Sequence, residues 1–148
     1  MMNKPYLRLA IVMGLSLLTM YPLTMVMVRR PDDFTLNLSN AYMALVMVAP
    51  MGVFMLFVMS MMFRNRVLNI ALYAAFAALF VGAFWFARLQ TGLGDEQMMR
   101  SMVPHHSRAI LVCQESNLSD PEVIELCDQI VRSQEEEIAQ MRRLLERY

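Results

Sequence analysis

Residues 41–63 read AYMALVMVAPMGVFMLFVMSMMF, a run without one charged side chain. An α-helix of about 20 apolar residues spans the roughly 30 Å hydrocarbon core of a bilayer, because each residue rises about 1.5 Å. The run is therefore long enough to be a transmembrane helix. Two similar stretches flank it. Residues 9–28 are uncharged, and residues 67–87 are uncharged with Asn69 near one end. Basic residues bound all three: Arg8, then Arg29 and Arg30, then Arg64 and Arg66, then Arg88. Pro22 and Pro50 fall inside spans, where neighbouring helices can satisfy the carbonyls a proline frees, so both read as kinks. Trp85 suits an interfacial anchor. The first span starts with Lys4 and Arg8 as a signal peptide does, but its apolar stretch is too long and no A-x-A site follows. It reads as an uncleaved helix.

Composition agrees with this reading. The chain has 148 residues, 57% of them hydrophobic, and a mean hydropathy of +0.41. Ordinary soluble domains are about 45–50% apolar. The formal net charge is zero, yet its parts are separated. Residues 1–90 carry Lys4 and six arginines against only Asp32 and Asp33, while residues 91–148 hold most of the acids. The division is a membrane domain, 1–90, and a water-facing segment, 91–148. No basic patch points to nucleic acid. Counting basic residues near the membrane leans slightly towards the N-terminus inside and the C-terminal segment outside.

Beyond Gly94, Asp95 and Glu96 suit a helix N-terminus, and a helix is predicted over 95–116. Asp120 is a good cap and Pro121 a good first helical residue for a second helix over 121–147. Its apolar residues Ile124, Cys127, Ile130, Ile138, Met141 and Leu145 recur at helical spacing. Setting Cys113 opposite Cys127 in an antiparallel hairpin places His106 opposite Gln134, Met102 opposite Ile138 beside Glu137, and Met99 opposite Met141. Two helices cannot bury a core alone, so the hairpin is expected to pair with another into a bundle, which implies a homo-oligomer. The expected fold class is all-α: three transmembrane helices, then this hairpin.

The run Met102-Val103-Pro104-His105-His106, followed by Ala109-Ile110 and by Gln134-Glu135-Glu136-Glu137-Ile138-Ala139-Gln140-Met141, resembles the domain of unknown function family 305. Its pattern is M-x-P-H-H-x-x-A-I, then Q-x-x-E-I-x-x-M on the next helix. The resemblance covers about residues 95–147. It implies a ferritin-like helical fold in bacterial periplasmic or membrane-attached proteins linked to copper binding and copper tolerance, with no secure enzymatic activity. Asn37 and the Tyr42-Met43, Met47 and Ala49-Pro50-Met51 positions look like a membrane-anchored subgroup. Ser107-Arg108 stands where many members have a small residue such as Gly, a departure expected to matter little.

The residue chemistry fits that implication. Thioethers select Cu(I), and imidazole serves Cu(I) and Cu(II). Met99, Met102 and His106 sit at i, i+3, i+7, and Gln134, Glu137 and Met141 repeat that spacing. A di-iron centre wants several carboxylates and Glu-x-x-His pairs, which this hairpin lacks. The candidate metal ligands are Met99, Met102, His105, His106, Gln134, Glu137 and Met141, with Cu(I) preferred to Cu(II). The plainer alternative is a core histidine among packing methionines. His105 lies about 100° from His106 on a helix and is expected to flank the seam or face a second protomer. Pro104 either kinks one helix or divides two. Cys113 and Cys127 are a disulfide, a pair of buried thiols, or a copper site.

Methionine is the compositional anomaly, 17 of 148. Met43, Met47, Met51, Met55 and Met59 recur at i, i+4 through the second span. Each step overshoots a full turn by about 40°, so the ladder winds. It is either a thioether path for Cu(I) or flexible packing. The leading expectation is a non-enzymatic, multi-pass bacterial inner-membrane protein with a periplasmic C-terminal hairpin, which sequesters copper or hands it to a periplasmic copper protein. A copper transport component and a structural or signalling subunit without metal are the alternatives, and an oxidoreductase acting on the metal is the weakest.

Overall fold

The computed structural model describes residues 4–148, which are all-α, with no strand among them. The helices are α1 Lys4–Leu23, α2 Leu38–Val58, α3 Arg66–Leu89, α4 Asp95–Glu115 and α5 Pro121–Leu145, with a short 3-10 turn at Pro31–Asp33. The first three, of 20, 21 and 24 residues, are long and apolar enough to cross a membrane.

Their limits differ from the hydropathy limits for local reasons. Helix α1 includes Lys4 and Arg8, because a helix near a bilayer surface tolerates them once their long side chains reach towards water. It stops one residue after Pro22, where the Thr24 N–H and hydroxyl both donate to the Tyr21 carbonyl and close the chain into a turn. Helix α2 runs through Pro50 and ends at Val58; residues 59–62 continue as turns, with the Met62 N–H donating to the Met59 carbonyl at 2.9 Å. The Asn65 side chain caps α3 by accepting from the Leu68 N–H at 3.0 Å. Gln90, at φ 50°, takes the left-handed conformation that closes its C-terminus.

The chain forms two compact units. One holds α1 and the segment Ser39–Thr91. Tyr6, Leu9, Leu56 and Phe63 form its buried cluster, with Met13, Met55, Leu72, Tyr73 and Phe76 packed on it. Tyr6 Oη donates to Asn69 Oδ1 at 2.7 Å, and Asn69 Nδ2 donates to the Phe63 carbonyl at 2.7 Å. The polar residue inside the third span thus has a partner for each end of its amide. Gly52 lets α2 approach α3: a Cβ there would lie 2.5 Å from the tip of the Phe76 ring. Large apolar side chains such as Leu18, Phe57 and Ile70 point outward, as lipid-facing surface requires.

The other unit combines Met25–Leu38 with Gly92–Tyr148. The loop after α1 therefore belongs structurally to the C-terminal helices. If the three apolar helices all cross a bilayer, those two segments fall on the same side of it, so the pairing is compatible with a multi-pass protein. Asp33 and Ser107 are both buried and joined: Ser107 Oγ donates to Asp33 Oδ2 at 2.6 Å and accepts from the Arg29 N–H at 2.7 Å. Arg142 reaches the other Asp33 oxygen at 2.5 Å, and Arg29 pairs with Glu135. Farther along, the Leu38 N–H donates to Gln97 Oε1 at 2.9 Å.

Within this unit α4 and α5 lie against each other. Val103, Ile110 and Ile138 form the buried cluster, with Val131 and Met141 packed on it. Contacts run in opposite senses along the helices: Cys113 meets Cys127 near the turn, and Tyr148 Oη lies 3.4 Å from Asp95 at the far end. Asp120 Oδ1 accepts from the Glu122 N–H at 2.9 Å, and Arg142 and Arg143 occupy the last turn of α5, where cations suit the helix dipole.

Candidate functional site

Helix α4 runs unbroken through Pro104, so the sequence alternative of two short helices does not form. Its buried face carries Met99, Val103, His106 and Ile110 in steps of four, three and four residues. His106 thus shares a stripe with Met99. The intervening position is Val103, and Met102, about 100° round the helix, is half-buried. On α5, Ile138 is buried, while Gln134, Glu137 and Met141 are half-buried.

The sequence register sets His106 opposite Gln134. In the structure His106 Nδ1 is 3.1 Å from Glu137 Oε2, one turn further along α5. Side chains lean towards the N-terminus of their own helix. In an antiparallel pair the lean of His106 carries it towards higher numbers on α5, and the lean of Glu137 carries it back towards His106. Both displacements favour Glu137. Its other oxygen, Oε1, accepts from the Ser133 hydroxyl at 2.9 Å, which steadies the carboxylate.

His106 is 8% exposed. Its Nδ1 is within ion-pair reach of Glu137 but off the hydrogen-bond direction, and it makes no hydrogen bond. Burial holds the His106 pKa below its ordinary value; Glu137 opposes this and His105 adds to it. The neutral imidazole, the form that offers a lone pair to a metal, is favoured at neutral pH. His105 is exposed, its ring centroid 6.0 Å from that of His106.

Among the described residues no three His, Cys, Asp or Glu side chains converge to hold a metal. Cys113 and Cys127 are joined in a disulfide with Cα atoms 5.3 Å apart, so neither offers a thiol.

The methionine ladder lies beside the packed face of α2. That face is Ala44, Val48, Gly52 and Leu56, and Met43, Met47, Met51 and Met55 each precede one of them by a residue. Met43 and Met47 are exposed, Met51 and Met55 half-buried, and Met59 is exposed beyond the helix end. These thioethers therefore flank the packed face of α2.

Sequence reasoning missed the Arg29, Asp33, Ser107, Glu135 and Arg142 cluster. Its bonded pairs lie 74 to 109 positions apart, so no periodicity links them. The one available signal was a pair of acids, Asp32 and Asp33, in an otherwise basic membrane half.

No solved structure matches the chain. It is 29% identical over 116 residues to "Uncharacterized protein L153" of Acanthamoeba polyphaga mimivirus, covering 77% of this chain and 74% of that protein. Residues 86–145, from the last turn of α3 through all of α4 and α5, match the family described as Domain of unknown function (DUF305).

Proposed function

We propose that the protein is a membrane-anchored Cu(I)-binding protein that sequesters copper or hands it to a periplasmic partner, without catalysis. His106 is the central donor, with Met99, Met102 and Met141 as candidate thioether donors. Glu137 and Gln134 flank the imidazole, and His105 serves from the rim or towards a second copy. The observation that carries this reading is a buried, neutral imidazole whose Nδ1 makes no hydrogen bond. Its nearest polar neighbour is a Glu137 oxygen, 3.1 Å away and off the hydrogen-bond direction, and a soft cation bound by the imidazole would supply the partner that geometry withholds.

Two further features support it. The disulfide removes the thiols that would otherwise dominate Cu(I) binding, and it suits an oxidising compartment, the periplasmic side of a bacterial inner membrane. Among the described residues no three carboxylate or imidazole donors cluster as a di-iron centre wants. In this reading α4 and α5 are a ferritin-like hairpin that pairs with a second copy and covers the exposed Val112, Val123, Ile124 and Leu126.

The test is Cu(I) titration of the full chain in detergent, against a chromophoric chelator with the disulfide intact. The His106→Ala/Met102→Leu variant should bind at least about tenfold more weakly. Unchanged affinity in a variant of normal helical content sinks the assignment. No Cu(I) uptake by the wild type makes the seam core and the protein a structural or signalling subunit. Transport along the methionine ladder requires assembled copies, since Met43, Met47 and Met59 are exposed. Liposome flux that is the same in wild type and Met47→Leu/Met51→Leu removes that version.

A further inference from the structure

A cleft of roughly 500 Å3 opens between the loop 25–38 and helices α4 and α5. It contains neither His106 nor the methionines of the seam. Its charged lining is Arg29, Arg30, Asp33, Glu135, Arg142 and Arg143, and Ile110 and Ile138 form apolar wall. Four guanidinium groups thus face two carboxylates. Both carboxylates are committed, Glu135 to Arg29 and Asp33 to Arg142. Asp33 is also buried and held by Ser107, so it cannot turn towards another cation. The side chains of Arg30 and Arg143 are exposed and have no ion pair or hydrogen bond among the described residues. The cleft therefore carries two uncompensated positive charges.

Guanidinium presents a planar fork of donors that fits phosphate oxygens in pairs. The cleft volume is in the usual range for small-ligand sites, about 300–1,000 Å3. Arg29 and Arg30 follow the end of α1 at Leu23 by only six and seven residues, and α1 is a candidate span. Chain connectivity alone keeps Arg30 near the headgroups of any membrane that α1 crosses, where each basic side chain attracts anionic lipid.

We propose that this cleft binds the phosphate of an acidic phospholipid headgroup, gripped by Arg30 and Arg143 and walled by the two internal ion pairs. The site is separate from the copper reading and stands or falls without it.

The test uses the full chain reconstituted in nanodiscs of phosphatidylglycerol and phosphatidylcholine, with native mass spectrometry of the lipid it retains. Wild type should keep phosphatidylglycerol in preference to phosphatidylcholine. Arg30→Gln/Arg143→Gln should lose that preference by about tenfold or more, and Arg30→Lys/Arg143→Lys should fall between, keeping charge without the fork. Arg64→Gln/Arg66→Gln, which alters the basic residues between α2 and α3, should leave it intact. Equal retention in wild type and Arg30→Gln/Arg143→Gln overturns the proposal, as does an equal loss in Arg64→Gln/Arg66→Gln. A second arm adds inorganic phosphate to lipid-stripped protein and follows its melting temperature. Stabilisation by phosphate that matches stabilisation by phosphatidylglycerol overturns the lipid assignment; stabilisation by the lipid alone supports it. Equal melting temperatures of the two proteins without ligand show that both are folded.

Discussion

Ser107 sits beside His106 in sequence but has a different role. It is fully buried, and its one hydroxyl donates to the Asp33 carboxylate and accepts from the Arg29 backbone. Read from the family pattern as a minor departure, it is instead a fixing point for a loop 74 positions away. Ser107→Ala leaves the Arg29 N–H and one Asp33 oxygen without that partner, at an expected cost of about 1–3 kcal/mol. Amide exchange across residues 29–35 should accelerate accordingly; unchanged exchange there would show that other contacts hold the loop. His106 gives a pH signature. Its folded-state pKa is lowered, chiefly by burial. Above an ordinary histidine pKa of about 6.5 both folded and unfolded states are neutral. As pH falls through that value the unfolded chain takes the proton first, so this residue withdraws stability on acidification. Denaturation at pH 7.5 and pH 5.5 should show a smaller acid loss for His106→Gln than for wild type. An identical loss in both would place the acid sensitivity elsewhere.

At the scale of helices, two prolines with the same chemistry behave differently. Pro50 lies mid-helix in α2, where the chain continues to Val58, whereas α1 ends one residue after Pro22. The segment after each proline decides the outcome: Pro22 leads into a turn closed by Thr24, and Pro50 leads into a stretch held by contact with α3. Gly52 makes that contact close. Gly52→Ala would drive a Cβ to 2.5 Å from the Phe76 ring and should cost about 1–3 kcal/mol, the usual range for overpacking. Thermal unfolding in detergent should show the loss, and Gly52→Ala/Phe76→Leu should recover much of it. No recovery would mean that the strain is not at that ring. Between α4 and α5, the disulfide closes a separation of 14 residues. Cys113→Ser/Cys127→Ser should cost about 3 kcal/mol by loop-closure entropy. Chemical denaturation of oxidised, reduced and double-Ser protein measures it, with the last two expected to agree.

For the whole molecule, the unit that contains the candidate site is discontinuous. Loop 25–38 supplies Asp33, Arg29 and Thr35 to helices that begin some 60 residues later. A fragment of residues 92–148 alone exposes Ser107 and leaves Arg142 without Asp33. It should unfold at a lower denaturant midpoint than a fusion that adds residues 25–38, as tracked by helical circular dichroism. Equal midpoints would show that the loop rests on the helices without supporting them.

Hydropathy alone set out three apolar helices, because lipid forces every backbone polar group to be satisfied within its own segment. Local signals also set the start of α5 at Asp120-Pro121 and the acidic first turn of α4, since caps and helix dipoles act over a few residues. The partner of His106 was a matter of tertiary geometry: helical spacing names a face, but the lean of side chains across an antiparallel pair chose Glu137 over Gln134. The same limit applies to the methionine ladder, whose spacing was plain but whose position beside the packed face of α2 depends on where Gly52 meets Phe76. The pairing within the Asp33–Ser107–Arg142 clamp could not be read in one dimension beyond the oddity of two acids at Asp32 and Asp33, since a contact across 109 positions leaves no periodic trace. It exists because a buried carboxylate must find donors, and only the folded chain brings Ser107 and Arg142 within reach.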